Sequence, residues 1–199
     1  MIQEKLDLTK AYPEYYKATT KPQVVNIEPL NYLIIQGQSS PEDPRFLSAV
    51  EELYGMAYII KFDCKSKESD FVVPKMEGFW WVEGELPFEE TPREEWHWKL
   101  TMRMPDFVGD LEFNQAKDAL KDKGKQHSRV KLDEIHEGLS VQILHVGSYE
   151  EEGPSLEKLF NYIKQEGFEI NGHHHEIYLS DPTKTAHENL KTILRYAVK

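Results

Sequence analysis

Gly172-His173-His174-His175-Glu176-Ile177-Tyr178-Leu179-Ser180-Asp181-Pro182 is the stretch from which both the fold and the chemistry of this chain are read. It gathers three imidazoles, a carboxylate and a phenol, and it ends at an Asp-Pro turn. Its centre reads as a short strand, in which successive side chains point to opposite faces. Ile177 and Leu179 then share a face with His173 and His175, while Glu176 and Tyr178 share the other with His174. With Ile177 and Leu179 turned to a core, Glu176 and Tyr178 stand together on the opposite surface. A carboxylate beside a phenol is ordinary on a wet surface and becomes a functional site when aromatic side chains enclose it. The histidine run invites a metal, but neighbouring strand residues diverge. His173 and His175 can share one ion at most, and Asp181 and His187 stand at no recognised ligand spacing. No metal and no other cofactor is expected.

Working outward, Leu190 to Val198 reads as the last strand. Leu156, Leu159, Phe160 and Ile163 mark a helix over 154–166, with Pro154 near its start and Gly167 just past its end. Before it, Ile135, Leu139, Val141, Ile143 and Val146 mark a strand over 134–146, and Gly147-Ser148-Tyr149 turns the chain. The first part of the chain repeats this order. Residues 23–38, rich in Val and Ile, read as a strand pair or a long bent strand, with Pro29 breaking it or placing it at an edge. Phe46, Val50, Leu53, Tyr54, Ala57 and Tyr58 follow the helical period over 44–62. Asp43 suits its N-cap and Pro44 its first position. Residues 71–84 hold Glu77-Gly78-Phe79-Trp80-Trp81. Residues 94–104 alternate Trp96, Trp98, Leu100 and Met102 with polar residues and complete a hairpin with 71–84.

Each half therefore runs long strand, helix, strand, strand. The period is too long for a solenoid and occurs twice. The expected fold is α+β, with two duplicated strand–helix–strand–strand units joined in one domain around a central cleft. An N-terminal arm spans 1–22 and is expected to pack loosely. The domain spans 23–199, with halves 23–104 and 132–199 and a connector over 105–131. The connector shows a broken or amphipathic helical pattern at Phe107, Val108, Leu111, Phe113, Ala116, Ala119 and Leu120, and its basic run, Lys117 to Lys131, is read as a solvated face. The strand around Glu77 corresponds to the strand around Glu176, so the tryptophans and the Glu/Tyr pair are expected to meet.

A net charge of −11 argues against nucleic-acid binding, which depends on neutralising phosphates, and favours cationic small molecules. No apolar run reaches membrane-spanning length, and the first ten residues lack a signal-peptide layout. Cys64 is the one cysteine, which excludes an internal disulfide and suits a reducing compartment. It follows an apolar run and reads as a packing residue. The expected location is the cytoplasm.

The run from Gly147-Ser-Tyr through Gly153-Pro, Gly167-Phe and His175-Glu-Ile-Tyr-Leu-Ser-Asp-Pro182 to Thr192-Ile-Leu-Arg195 resembles the GyrI-like small-molecule-binding family. The Glu77-Gly-Phe-Trp-Trp81 run is similar to the first-half motif of its stand-alone branch. The resemblance covers roughly Val24 to the end. It implies the duplicated fold and a ligand cleft with a glutamate at its base, which carries over to Glu176. In relatives fused to DNA-binding domains this pocket senses lipophilic cationic drugs. No helix-turn-helix pattern precedes the domain here, which counts against a regulator. The stand-alone subset hydrolyses the cyclopropane of DNA-alkylating cyclopropanoid natural products.

Three readings follow. In the first, the protein binds lipophilic planar aromatic or cationic xenobiotics and hydrolyses cyclopropanoids without a metal. Glu176 directs water, and Tyr178 or another polar group stabilises the developing oxyanion. The walls come from Trp80, Trp81 and Trp98, with Tyr58, Met102, Phe107, Tyr149 and His174 as further lining. In the second, the same pocket is a non-catalytic drug sink or sensor. In the third, the protein inhibits a partner enzyme by direct contact.

Overall fold

The structure, a computed structural model, describes residues 5–84, 86, 88–122 and 129–199. In chain order its helices are α1 (Leu8–Ala11), α2 (Pro13–Tyr16), α3 (Pro44–Ser66), α4 (Asp110–Asp122) and α5 (Gly153–Gln165). Its strands are β1 (Gln23–Ile27), β2 (Leu30–Gln38), β3 (Met76–Trp81), β4 (His97–Arg103), β5 (Lys131–Ile135), β6 (Gly138–Val146), β7 (His174–Tyr178) and β8 (Lys191–Ala197). This is an α+β architecture, as the alternating strand and helix periods predict. The chain divides into two compact units: Met1–Ala11, Leu30–Met76 and Trp80–Ile135 form one; Tyr12–Pro29, Glu77–Phe79 and His136–Lys199 form the other.

In the first unit the strands run β3-β4-β2-β5. β2 pairs antiparallel with β4, setting Leu33 opposite Met102 and Gly37 opposite Trp98. On its other side it pairs with β5, setting Tyr32 opposite Asp133. α3 is started by Asp43, whose carboxylate accepts from the Arg45 N–H, with Pro44 in the first turn. It runs four residues past the expected end, to Ser66. Its buried stripe is Phe46, Ala49, Leu53, Met56, Ala57, Ile60 and Cys64. That stripe is rotated from the expected one: Tyr58 is exposed, while Ala49, Met56 and Ile60 do the packing. The stretch read as a connector supplies α4, which packs on α3 and puts Phe113 and Ala116 into the same core. Of its basic run, residues 123–128 lie outside the described residues.

In the second unit the strands run β1-β6-β8-β7-β3. β1 pairs with β6, Gln23 opposite Gln142. β6 pairs with β8, Ile143 opposite Leu194, and β8 with β7, Ile177 opposite Ile193. β7 thus lies beside β3, as the duplication predicts for corresponding strands. α5 buries Leu159 and Ile163 against Val141, Ile143, Leu194 and Val198. It ends where Gly167 takes a left-handed φ of 76°, the conformation glycine adopts without a Cβ clash.

Residues 23–38 form a strand pair, one of the two readings of that stretch, while the single strand expected over 134–146 is the end of β5 followed by β6. Pro29 separates β1 from β2, and a turn at Gly138, with φ of 65°, separates β5 from β6. The first piece joins the other unit each time: β1 pairs with β6 and β5 with β2. The N-terminal arm is not loose. Leu8, Tyr15 and Tyr16 are all buried, and Leu6 bridges to Phe71. Among the described residues no helix is long and apolar enough to cross a membrane.

Candidate functional site

β7 alternates as strand parity requires. His175 and Ile177 are buried; His174, Glu176 and Tyr178 are half-buried on the opposite face. The register on β8 fixes the phase, because Glu176 lies opposite Leu194 and Tyr178 opposite Thr192. The histidines therefore part company. His175 turns inward, and His174 joins Glu176 and Tyr178.

On that second face the His174 Nε2–H donates to Glu176 Oε1 at 3.0 Å. The same nitrogen is 3.7 Å from Glu152 Oε2. The ligand atoms of Glu152, His174 and Glu176 all lie within 4.8 Å of one another, close enough to share one positive charge, whether a proton or a bound cation. Burial opposes charging of His174, but hydrogen bonds to Glu152 and Glu176 outweigh it and push the imidazole up to about 9. Burial, then the charge of Glu176, push Glu152 up to about 7 against the pull of His174. Among the described residues, Oε1 of Glu152 and Nδ1 of His174 are buried and meet no hydrogen-bond partner.

Tyr149 meets Tyr178 edge-on with ring centroids 5.8 Å apart. Burial, followed by the charges of Glu176, Glu152 and Asp181, push its phenol up to about 12. Tyr196 of β8 lies 5.2 Å from the His174 ring. The expected residues Glu176, Tyr178, His174 and Tyr149 are thus brought together, with Glu152 added to them.

Glu152 reaches the site because the turn before α5 is latched. Glu151 folds back to accept from the Ser148 hydroxyl at 3.2 Å, closing a capping box. His145 Nε2–H donates to the Ser148 carbonyl at 2.9 Å, and its Nδ1 accepts from the Ser155 hydroxyl at 3.1 Å. In sequence Glu152 is one of three consecutive glutamates, and nothing local separates it from a solvated acid.

The inward face carries a second, largely buried cluster. His175 Nδ1 is 3.0 Å from Glu137 Oε1 and its Nε2 is 3.0 Å from Glu77 Oε2. Both ring nitrogens face carboxylates, an arrangement that favours the doubly donating imidazolium. Burial opposes its charge, but Glu137 and Glu77 outweigh burial and raise it. Burial likewise opposes ionisation of Glu137, yet His175 and Arg195 hold it down at about 2. Arg195 donates to Glu137 at 3.1 Å and to Gln142 at 2.8 and 3.0 Å. The Tyr15 hydroxyl donates to Glu77 at 2.6 Å, which ties the arm to the strand, and Phe79 stacks on His175 at 3.9 Å. The two carboxylates balance His175 and Arg195, as burial of ions requires.

The remaining expected lining residues belong to the first unit. Trp98 and Met102 lie in its core, 1% and 0% exposed. The Trp98 N–H donates to Ser39 Oγ at 3.0 Å, and Trp80 stacks on Phe46 at 5.6 Å. Strand alternation put Trp96, Trp98, Leu100 and Met102 on one face, and α3 covers the last three. Trp81 is half-buried and stacked on His97. Tyr58 and Phe107 are exposed and contact Phe62 and Phe71. These placements give Trp98 and Met102 no surface to offer a ligand.

Comparison with known proteins gives a match to the GyrI-like small molecule binding domain over residues 20–199. The chain is similar to the crystal structure of an uncharacterized conserved protein from Listeria innocua, at 38% identity and a TM-score of 0.91, over 98% of this chain and 100% of that one. It is also similar to a structure described as a hydrolase from Listeria innocua, at 35% identity and a TM-score of 0.89, with the same coverage. The C-terminal domain of EcmrR shares the fold at 12% identity and a TM-score of 0.56, over 90% of this chain and 97% of that one. Among curated proteins none matches.

Proposed function

The chain belongs to the GyrI-like small-molecule-binding domain family, and we propose that within it this protein binds lipophilic aromatic or cationic xenobiotics at the Glu176 face of β7 and hydrolyses the cyclopropane of DNA-alkylating cyclopropanoids. The observation that carries this reading is Glu176 held by His174 at 3.0 Å, beside the phenol of Tyr178. One carboxylate oxygen is thereby occupied, and in this reading the other takes the water. The Listeria protein described as a hydrolase, 35% identical over nearly the whole length, supports hydrolysis as the chemistry.

In this reading Tyr149 and Tyr178 contact the planar substrate through their rings. Glu176 takes a proton from a water as its oxygen attacks the strained ring carbon. The carbon–carbon bond of the cyclopropane breaks, and its electron pair moves to the conjugated carbonyl oxygen. The Tyr178 hydroxyl donates to that oxygen. The product is a ring-opened alcohol that no longer alkylates. Incubation with a cyclopropanoid and chromatography of the products tests this. Glu176→Gln is expected to lower the rate at least about 100-fold, the usual worth of a general base. Equal rates for wild type and variant, or none above buffer, would end the catalytic reading. Ligand-dependent fluorescence quenching without product would favour a drug-binding module instead.

A further inference from the structure

We propose that Glu152 is a positioning residue of this site, which acts through His174 to orient Glu176 and adds a second buried negative charge facing the ligand. The proposal rests on the reading of this face as the ligand site. Glu152 is 7% exposed, its Oε2 is 3.7 Å from His174 Nε2, and that nitrogen donates to Glu176 Oε1 at 3.0 Å. The imidazole is clamped between two carboxylates, as an orienting acid clamps the histidine of a catalytic triad. The latched turn before α5, through Ser148, Glu151, His145 and Ser155, fixes where Glu152 can reach.

Among the described residues, four further groups stand around this cluster. Tyr178 shares its strand, Tyr149 comes from the turn before α5, and Asp181 follows β7. Tyr196 of β8 lies tilted against the His174 ring. None of these supplies a cation. With His174 charged, ionised Glu152 and Glu176 leave one net negative charge, and a proton on Glu152 removes it. Burial and Glu176 place that change at about 7. A permanently charged ligand therefore binds better as pH rises through neutrality and releases a proton when it binds below that point.

Two measurements test this. The first follows the His174 ring nitrogens by NMR in the free protein, wild type and Glu152→Gln. The expected result is an imidazolium that persists towards about 9 in wild type and titrates at clearly lower pH in the variant, with Glu152→Asp between them. An unchanged His174 titration in Glu152→Gln overturns the proposal. The second titrates N-methylacridinium by fluorescence from pH 6 to 8. Wild-type affinity should rise by up to about tenfold per unit and the variant should stay flat. A variant slope equal to wild type also overturns it. Should Glu152→Gln not fold, calorimetry of the wild type in two buffers of different ionisation enthalpy counts the protons released, and none released at pH 6.5 overturns the charge role. A probe that binds nowhere would sink the ligand-site reading, while the His174 titration still decides what Glu152 does.

Discussion

Gly37 and His175 show how single side chains hold this structure. A Cβ built at Gly37 would lie 2.5 Å from the Trp98 ring, so the glycine is there to admit the indole opposite it in the sheet. Gly37→Ala is expected to cost about 1–3 kcal/mol, the usual penalty of overpacking, read by chemical denaturation; an unchanged midpoint would show that the indole moves freely. The His175 ring lies between Glu77 and Glu137 in the inward cluster and bonds to both. His175→Gln keeps hydrogen-bonding capacity and removes the charge, so it should cost about 3–5 kcal/mol, as breaking a buried ion pair does. Tyr15→Phe removes one hydrogen bond to Glu77 and should cost about 1.5–3 kcal/mol. If the two substitutions lost the same amount, charge balance would not be what stabilises the cluster. That Glu176, Tyr178 and His174 share a face was visible in a strand of five residues, because parity alone assigns faces. Glu152, Glu77 and Glu137 were not, since each is brought in from a distant part of the chain.

β7 is one strand with two electrostatic faces, and the carboxylates Glu152 and Glu137 on them are perturbed in opposite directions. On the outward face the folded values of His174 and Glu152 are both raised, to about 9 and about 7. A raised group contributes stability that is complete below its ordinary value and lost as pH climbs through the folded one. Glu152 accordingly favours the folded state below about 4.5, with its contribution gone above about 7. His174 does so below about 6.5, with its contribution gone above about 9. On the inward face Glu137 is depressed to about 2, so its contribution is complete above its ordinary 4.5 and lost as pH falls towards 2. Denaturation midpoints should therefore fall in acid below about 4.5 and decline again from about 4.5 through about 9. Glu152→Gln should flatten the stretch between about 4.5 and 7 and leave the acid limb unchanged. A profile that the variant does not alter would mean that Glu152 is not perturbed in the folded protein.

In the whole molecule, the first strand of each half is placed in the unit built by the other half. β1 pairs with β6, β5 pairs with β2, and Glu77 of β3 bonds to His175 of β7. A fragment of residues 132–199 lacks β1, Tyr15 and Glu77. It is expected to show little strand signal by circular dichroism alone and to gain it on mixing with the fragment 1–131; independent folding of either fragment would contradict this. The α+β class, the strand and helix order and the duplication were all legible in the amino-acid sequence, because periods of two and 3.6 residues and turn chemistry are local properties. So was the outward face of β7, and with it Glu176 and Tyr178. Which aromatic residues are core was not legible. Alternation says that Trp98 and Met102 share a face, and only the packing of α3 on that face says that it is covered. The pairing of β1 and β5 and the arrival of Glu152 beside His174 depend on contacts between residues far apart in the chain. No local pattern encodes them, since a buried carboxylate and a solvated one are the same residue until its neighbours are placed.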